Sequence, residues 1–278
     1  MGRRMLVSVS IPFLLVALMG PASAAEDGQP PLAHRPLYLA LGDSVAAGVG
    51  ASDPAVTGYV PVFYDLLGEQ LACHGSGGPG CRKLALDNLA VGGATSTTLV
   101  RDQLPDALAE LQARNHDRQP NNDVQVITID IGGNDAFAVV PSCAAGQTPE
   151  CLALIDTTLR TFTANFTTTL TQLRAAAGPD TVIIAMTYYN PLPSCRLSAL
   201  APLADSVLEG APGFDGRLND LIRAISAANG VAVADTYGKL AGENLVGGND
   251  CLHPNDSGHQ IIADLFSAAL AGTGAQVA

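Results

Sequence analysis

The chain has no tryptophan and 5% aromatic residues, and its 14 lysines and arginines face 26 aspartates and glutamates, for a formal net charge of −12. So few basic residues do not form the cationic face that binds nucleic acid or an anionic membrane surface, and neither partner is expected. The lack of tryptophan counts against the aromatic platforms on which polysaccharide chains rest. No CxxC or HExxH occurs, which argues against zinc and leaves no metal expected. No serine lies in GxSxG, so the elbow of the commonest serine hydrolase fold is missing. Beyond the N-terminal segment no apolar run is long enough to cross a bilayer, and no stable membrane insertion is expected.

What is present begins with a processing signal. Arg3 and Arg4 form a basic start, residues 11–19 an apolar core broken only by Pro12, and Ala22-Ser23-Ala24 a small-residue cleavage site. Residues 1–24 therefore read as a signal peptide, 25–36 as a loose polar leader and 37–278 as one domain of an exported, extracellular protein. A hydrophobic content of 47% is ample for its core. Six cysteines, an even number, suit an oxidising compartment. They fall as three neighbouring pairs: Cys73 with Cys81, Cys143 with Cys151, and Cys195 with Cys251. Sequential pairing is the simplest of the possible connectivities.

Hydrophobic periodicity alternates between strand and helix. The run Tyr38 to Leu41 ends in Gly42-Asp43-Ser44, where a helix is expected to start. Tyr59, Val62, Phe63, Leu66, Leu67 and Leu71 trace an amphipathic helix. A strand at about 83–90 runs into Gly92-Gly93, and Leu104, Ala107, Leu108 and Leu111 stripe a helix with Pro105 in its first turn. Residues 124–131 form the clearest strand and end in Gly132-Gly133-Asn134-Asp135. Thr148 is the expected N-cap of a long helix that buries Leu152, Ile155, Leu159, Phe162, Phe166, Leu170 and Leu173. A strand at 181–186 leads to a long irregular loop, 189–213. A helix with Leu218, Leu221, Ile222 and Ile225 ends at Gly230, and a fifth strand at 231–235 follows. After a polar loop, Ile261, Ile262, Leu265, Phe266 and Ala269 stripe a last helix, capped by Asn255 or Asp256. Residues 75–80 formally match GxGxxG, but they follow no strand and open no helix, so they are not a dinucleotide site. The alternation predicts a parallel sheet covered on both faces.

In such a sheet the loops after successive strands share one edge, where open α/β folds place their ligands. Ser44, Gly93, Asn134 and the run Asp250-Cys251-Leu252-His253 all meet there. A serine hydroxyl becomes a nucleophile only when a base takes its proton, and histidine suits neutral pH. His34 lies in the leader, His74 in a cysteine-flanked loop, His116 at a charged helix end and His259 on the expected solvated face of the last helix. Only His253 both follows a carboxylate by three residues and lies at the right edge, with Asp250 to orient it. Oxyanion donors are at hand in Ser44 N–H, Gly93 N–H and the Asn134 amide. Each residue also has a plain structural use, as turn glycine or helix cap; the joint order and placement carry the functional reading.

These four stretches, in this order across about residues 37–258, resemble the blocks of the SGNH (GDSL) hydrolase family, and most of all its secreted bacterial lipase and esterase branch. The resemblance implies Ser44 as nucleophile, His253 as base, Asp250 as its orienting acid, and Ser44, Gly93 and Asn134 as the oxyanion hole. It also implies a flavodoxin-like three-layer α/β/α sandwich on a mostly parallel five-stranded sheet, with no metal or organic cofactor. Gly92 stands where many members have serine, so the resemblance leaves open which glycine donates; Gly93 is favoured. The expected activity is cleavage of carboxylic esters, of small molecules or lipids, by a monomer. An O-acetyl esterase acting on polysaccharide is the alternative enzyme, and a catalytically silent binding protein the alternative outside enzymes.

Overall fold

A computed structural model of the chain describes residues 32–70, 84–139, 141–143, 146, 148–210 and 217–275. The signal segment and the GxGxxG match lie outside these residues; of the leader, only its last residues are inside. Cys73 and Cys81, the first of the expected cysteine pairs, also lie outside the described residues. The other two pairs are bonded as sequential pairing predicts, Cys143 to Cys151 and Cys195 to Cys251.

Five strands, β1 (Leu37–Gly42), β2 (Ala85–Asn88), β3 (Val124–Asp130), β4 (Val182–Met186) and β5 (Ala232–Ala234), pair in parallel in the order β2-β1-β3-β4-β5. β1 and β4 bury every residue, as strands covered on both faces must. The chain first steps outward from β1 to β2, then returns to build β3 on the other side of β1. That reversal puts the switch point, where neighbouring loops diverge and leave a crevice, between β1 and β3.

The helices are α1 (Tyr59–Gln70), α2 (Ser96–Thr98), α3 (Leu104–Arg114), α4 (Gly133–Val139), α5 (Pro149–Ala177), α6 (Ala201–Glu209), α7 (Leu218–Ala228) and α8 (Asp256–Gly272). α1 and α8 pack together on one face of the sheet, where the Tyr59 and Phe266 rings stack at 5.0 Å. α5 packs with α3 and α7 on the other. The result is the three-layer α/β/α sandwich that the resemblance implies, with the sheet covered on both faces as the alternation predicts. α5 buries Ile155, Leu159, Phe162, Phe166, Leu170 and Leu173, each contributing about 1.5–3 kcal/mol relative to exposure. Leu152, expected on this stripe, is instead exposed, because Cys151 occupies the inward position and is bonded to Cys143.

Both expected caps exist. Thr148 Oγ1 accepts from Cys151 N–H at 3.2 Å, and Asn255 Oδ1 accepts from Ser257 and Gly258 N–H at 3.0 and 3.2 Å. Asp256 is not a cap; it accepts hydrogen bonds from Ser52 and Thr57.

Four expectations fail locally. No helix starts at Ser44: residues 43–50 make turns, because Gly48 and Gly50 adopt φ of 78° and 96° and break the helical path before Tyr59. The described part of the 189–213 loop, residues 189–210, contains two short 3-10 turns and α6, in which Pro202 is harmless in the first turn. The polar loop before α8 contains an antiparallel hairpin, β6 (Leu245–Gly247) with β7 (Asp250–Pro254). His259 is fully buried, not solvated: Tyr59 N–H donates to its Nδ1 at 3.2 Å and its Nε2 bonds Val49 O at 3.1 Å.

Candidate active site

β1 ends where Gly42 presses against β3; the Cβ of any larger residue would overlap the Asp130 carboxyl group. Gln103 clamps the same residue, accepting from Gly42 N–H at 2.9 Å and donating to Gly42 O at 2.8 Å. Asp43 N–H donates to Asp130 Oδ1 at 2.8 Å, and Asp43 Oδ1 accepts from Val45 N–H at 2.9 Å. The chain is bent between these contacts, and Ser44 stands half-buried at the bend.

His253 comes to this bend from β7. Ser44 Oγ and His253 Nε2 are 2.8 Å apart, and His253 Nδ1 lies 2.8 Å from Asp250 Oδ2. Asp250 Oδ1 also accepts from Leu252 N–H at 2.9 Å and His253 N–H at 3.0 Å. Partial burial pushes the Asp250 carboxyl up, but these bonds outweigh it and hold the group below the ordinary carboxylate range. An ionised Asp250 takes the Nδ1 proton as its hydrogen bond, which leaves Nε2 free to accept from the serine hydroxyl. The loop is tied down from outside as well. Tyr189 donates to Leu252 O at 2.7 Å, and Cys251 is bonded to Cys195, with Cα atoms 5.3 Å apart. Gly50 lets the Ser44 loop lie against this segment, since a Cβ there would meet Pro254 O and sit 2.9 Å from His253 Cβ.

Asn134 lies in the first turn of α4 but caps no helix; its amide donates to Ala94 O at 2.9 Å. A primary amide has a second N–H, which that bond does not use. Through Ala94 it holds the loop of Gly93, whose φ of 81° strains any L side chain. Gly93 itself is exposed and does not line the cleft that Ser44, Asn134 and His253 share. Asp135 accepts from Ser96 N–H at 2.8 Å and Ser96 Oγ at 2.6 Å, which ties α4 to the start of α2.

The shared cleft is open to solvent, and its space amounts to about 670 Å³ with that open solvent included. Ala136 and Phe137 of α4, Leu192, and Ala204, Val207 and Leu208 of α6 make its apolar walls, while Tyr188 and Tyr189 lie beside Asp43. Its polar groups are few and converge, the usual make-up of a small-molecule site. Among the described residues, no three His, Cys, Asp or Glu side chains are grouped as metal ligands would be. No helix among them is long and apolar enough to cross a membrane.

Two buried carboxyl groups lie under the site. Burial pushes Asp43 up to about 6, against the lowering effect of its bonds from Tyr188 and Val45. Burial, reinforced by the Asp43 charge, pushes Asp130 well above the carboxylate range.

A family model described as GDSL-like lipase/acylhydrolase matches residues 40–261, from the middle of β1 into α8. The chain belongs to that family. Membership supports ester hydrolysis as the chemistry of the site. Solved structures share the fold. The lipase Lip_vut3 from a goat rumen metagenome is 21% identical, with a TM-score of 0.60 over 84% of this chain and 97% of that one. An extracellular lipase from Streptomyces rimosus is 20% identical, with a TM-score of 0.51 over 84% and 99%. Axe2, an acetylxylan esterase from Geobacillus stearothermophilus, is 17% identical, with a TM-score of 0.54 over 86% and 96%. No curated protein matches by sequence.

The family blocks gather Ser44, Asn134, Asp250 and His253, but sequence reading passed over Tyr188, Asp130 and α6. The apolar positions of α6, at 204, 207 and 208, have helical spacing and were the available signal.

Proposed function

We propose that this chain is a secreted serine hydrolase that cleaves carboxylic esters of lipids or other acyl compounds. The observation that carries the reading is the run of hydrogen bonds Asp250–His253–Ser44, each link between side chains 2.8 Å long, opening on an apolar cleft. Ser44 Oγ attacks the ester carbonyl as His253 Nε2 takes its proton. Ser44 N–H and the Asn134 amide stabilise the oxyanion, and Gly93 stands on the neighbouring loop that Asn134 holds through Ala94 O. Collapse of this intermediate expels the alcohol, which takes the proton from His253. Water activated by the same imidazole then hydrolyses the acyl-enzyme. Asp250, kept ionised, holds the imidazole in the tautomer these steps need and stabilises its charged form.

The apolar walls favour an acyl chain over a bare acetyl group. Export is supported by the basic and apolar N-terminal segment and by the bonds Cys143–Cys151 and Cys195–Cys251. The test is an ester series from acetyl to long-chain acyl, run beside phospholipid vesicles and acetylated xylan. Hydrolysis that improves with acyl length supports the reading. Activity confined to acetylated xylan would replace it with a polysaccharide deacetylase. Failure of a fluorophosphonate to label Ser44, with no ester cleaved, would leave a binding protein.

A further inference from the structure

Tyr188 belongs to none of the motifs, yet it touches both halves of the site. Its hydroxyl donates to Asp43 Oδ2 at 2.6 Å, the short distance of a charge-assisted bond, and the other oxygen of that carboxylate holds Val45 N–H. Asp43 therefore links Tyr188 to both sides of Ser44. The ring of Tyr188 fills the space a side chain would need at Gly133, where a Cβ would sit 2.5 Å from Cε1. Gly133 is the residue before Asn134, so the ring backs the oxyanion loop while the hydroxyl grips the nucleophile turn.

The strut itself is fixed. Asn219 of α7, fully buried, accepts from Tyr188 N–H at 2.7 Å and donates to Tyr188 O at 2.8 Å. The same amide donates to Glu209 at the end of α6, at 2.8 Å, so the apolar wall of the cleft joins the same run of bonds. Tyr188 is 6% exposed and reaches from the end of β4 across β3 to the end of β1. This is the switch point, where the nucleophile turn and the oxyanion loop have no strand hydrogen bonds between them.

We propose that Tyr188 is a positioning residue for the ester hydrolysis assigned above, setting Ser44 against the Asn134 loop through the Asp43 carboxylate and its own ring. The inference rests on that functional reading. It takes Asp43 as ionised, the form in which both oxygens are full acceptors, one for Tyr188 and one for Val45. The groups that face Asp43 are Tyr188 and Tyr189 from the end of β4, Asp130 from β3, Asp135 from α4 and His253 from β7, with Tyr59 of α1 acting on Asp130. The Tyr188 hydrogen bond favours the ionised form, against burial and the negative neighbours.

Tyr188→Phe removes the hydroxyl and keeps the ring. A shift of the nucleophile by a fraction of an ångström to 1 Å is expected to lower kcat about 10- to 100-fold, with KM unchanged because the cleft wall remains. The acid limb of the kcat profile moves to higher pH, since Asp43 has lost a donor; a residue that served stability alone would not move it. Asp43→Asn removes the charge while keeping an acceptor for Val45. It should cost a similar factor, and the double variant should be no worse than the poorer single one. Labelling of Ser44 by a fluorophosphonate should slow in parallel, with thermal melting as the check on folding. A folded Tyr188→Phe protein with wild-type kcat and labelling rate would overturn the proposal, as would additive losses in the double variant. If Tyr188→Phe does not fold, Asp43→Asn decides by the same readouts. Wild-type protein that neither cleaves esters nor labels at Ser44 would instead overturn the functional reading.

Discussion

The bond between Cys195 and Cys251 offers the sharpest perturbation, because Cys251 lies between Asp250 and His253. Replacing both cysteines with serine opens a loop of 56 residues' separation. In the chain-entropy account, closing a loop of that size is worth about 4 kcal/mol. For a domain of this size that lowers the melting temperature by about 8–16 °C. Serine at position 251, packed among Leu192 and Ala201, adds about 1–3 kcal/mol if its hydroxyl finds no partner. The effect on the site is separable from this loss. Asp250 and His253 are held to each other within one short segment, through two backbone bonds and one side-chain bond, and move as a unit. The disulfide instead fixes where that unit stands relative to Ser44, aided by the Tyr189–Leu252 bond and the bridge between Cys195 and Gly248. With part of this restraint gone, kcat is expected to fall about 10- to 100-fold while KM hardly changes. The assay is ester hydrolysis at least 20 degrees or so below the variant's own midpoint, with folding checked by circular dichroism. Full activity in the folded variant would refute the reasoning, as would peptide mapping that finds either cysteine bonded elsewhere.

Ser44→Ala should abolish acyl-enzyme formation, leaving only about a 10³-fold residue of catalysis, measured by burst kinetics and by loss of phosphonate labelling. Asn134→Ala should lower kcat by roughly 10²–10³ with little change in KM, because its contact strengthens in the transition state; a change in KM alone would contradict that role. Asp130 keeps its proton in the folded chain well above the pH at which the unfolded chain loses it. Its contribution to stability is therefore complete below about pH 4 and falls as pH rises from there. Asp130→Asn, which keeps the acceptor for Asp43 N–H, should make stability fall less as pH rises above about 4 in denaturant titrations. Asp130→Ala should destabilise at every pH.

Much of this protein was written in local patterns that need no tertiary context. Five apolar runs, the caps Thr148 and Asn255 and the glycine-bearing strand ends follow from side-chain spacing and backbone chemistry within a few residues. Once the strands are parallel, topology alone sends Ser44, Gly93, Asn134 and His253 to one edge, so the site was legible before any distance was known. The rest depended on partners far away along the chain. The turn after Ser44 in place of a helix, and the α6 helix within a proline-rich stretch, are settled by what packs against them. His259 looks like a solvated helix residue until α1 and the Ser44 loop close over it. Gly42 looks like an ordinary turn glycine until the Asp130 carboxyl group fills the place of its side chain. Tyr188 carries no signal in sequence, because its role comes from reaching across β3 to an aspartate 145 residues earlier. Hydrogen bonds of that reach are decided only when the sheet assembles and burial leaves each polar group no other partner.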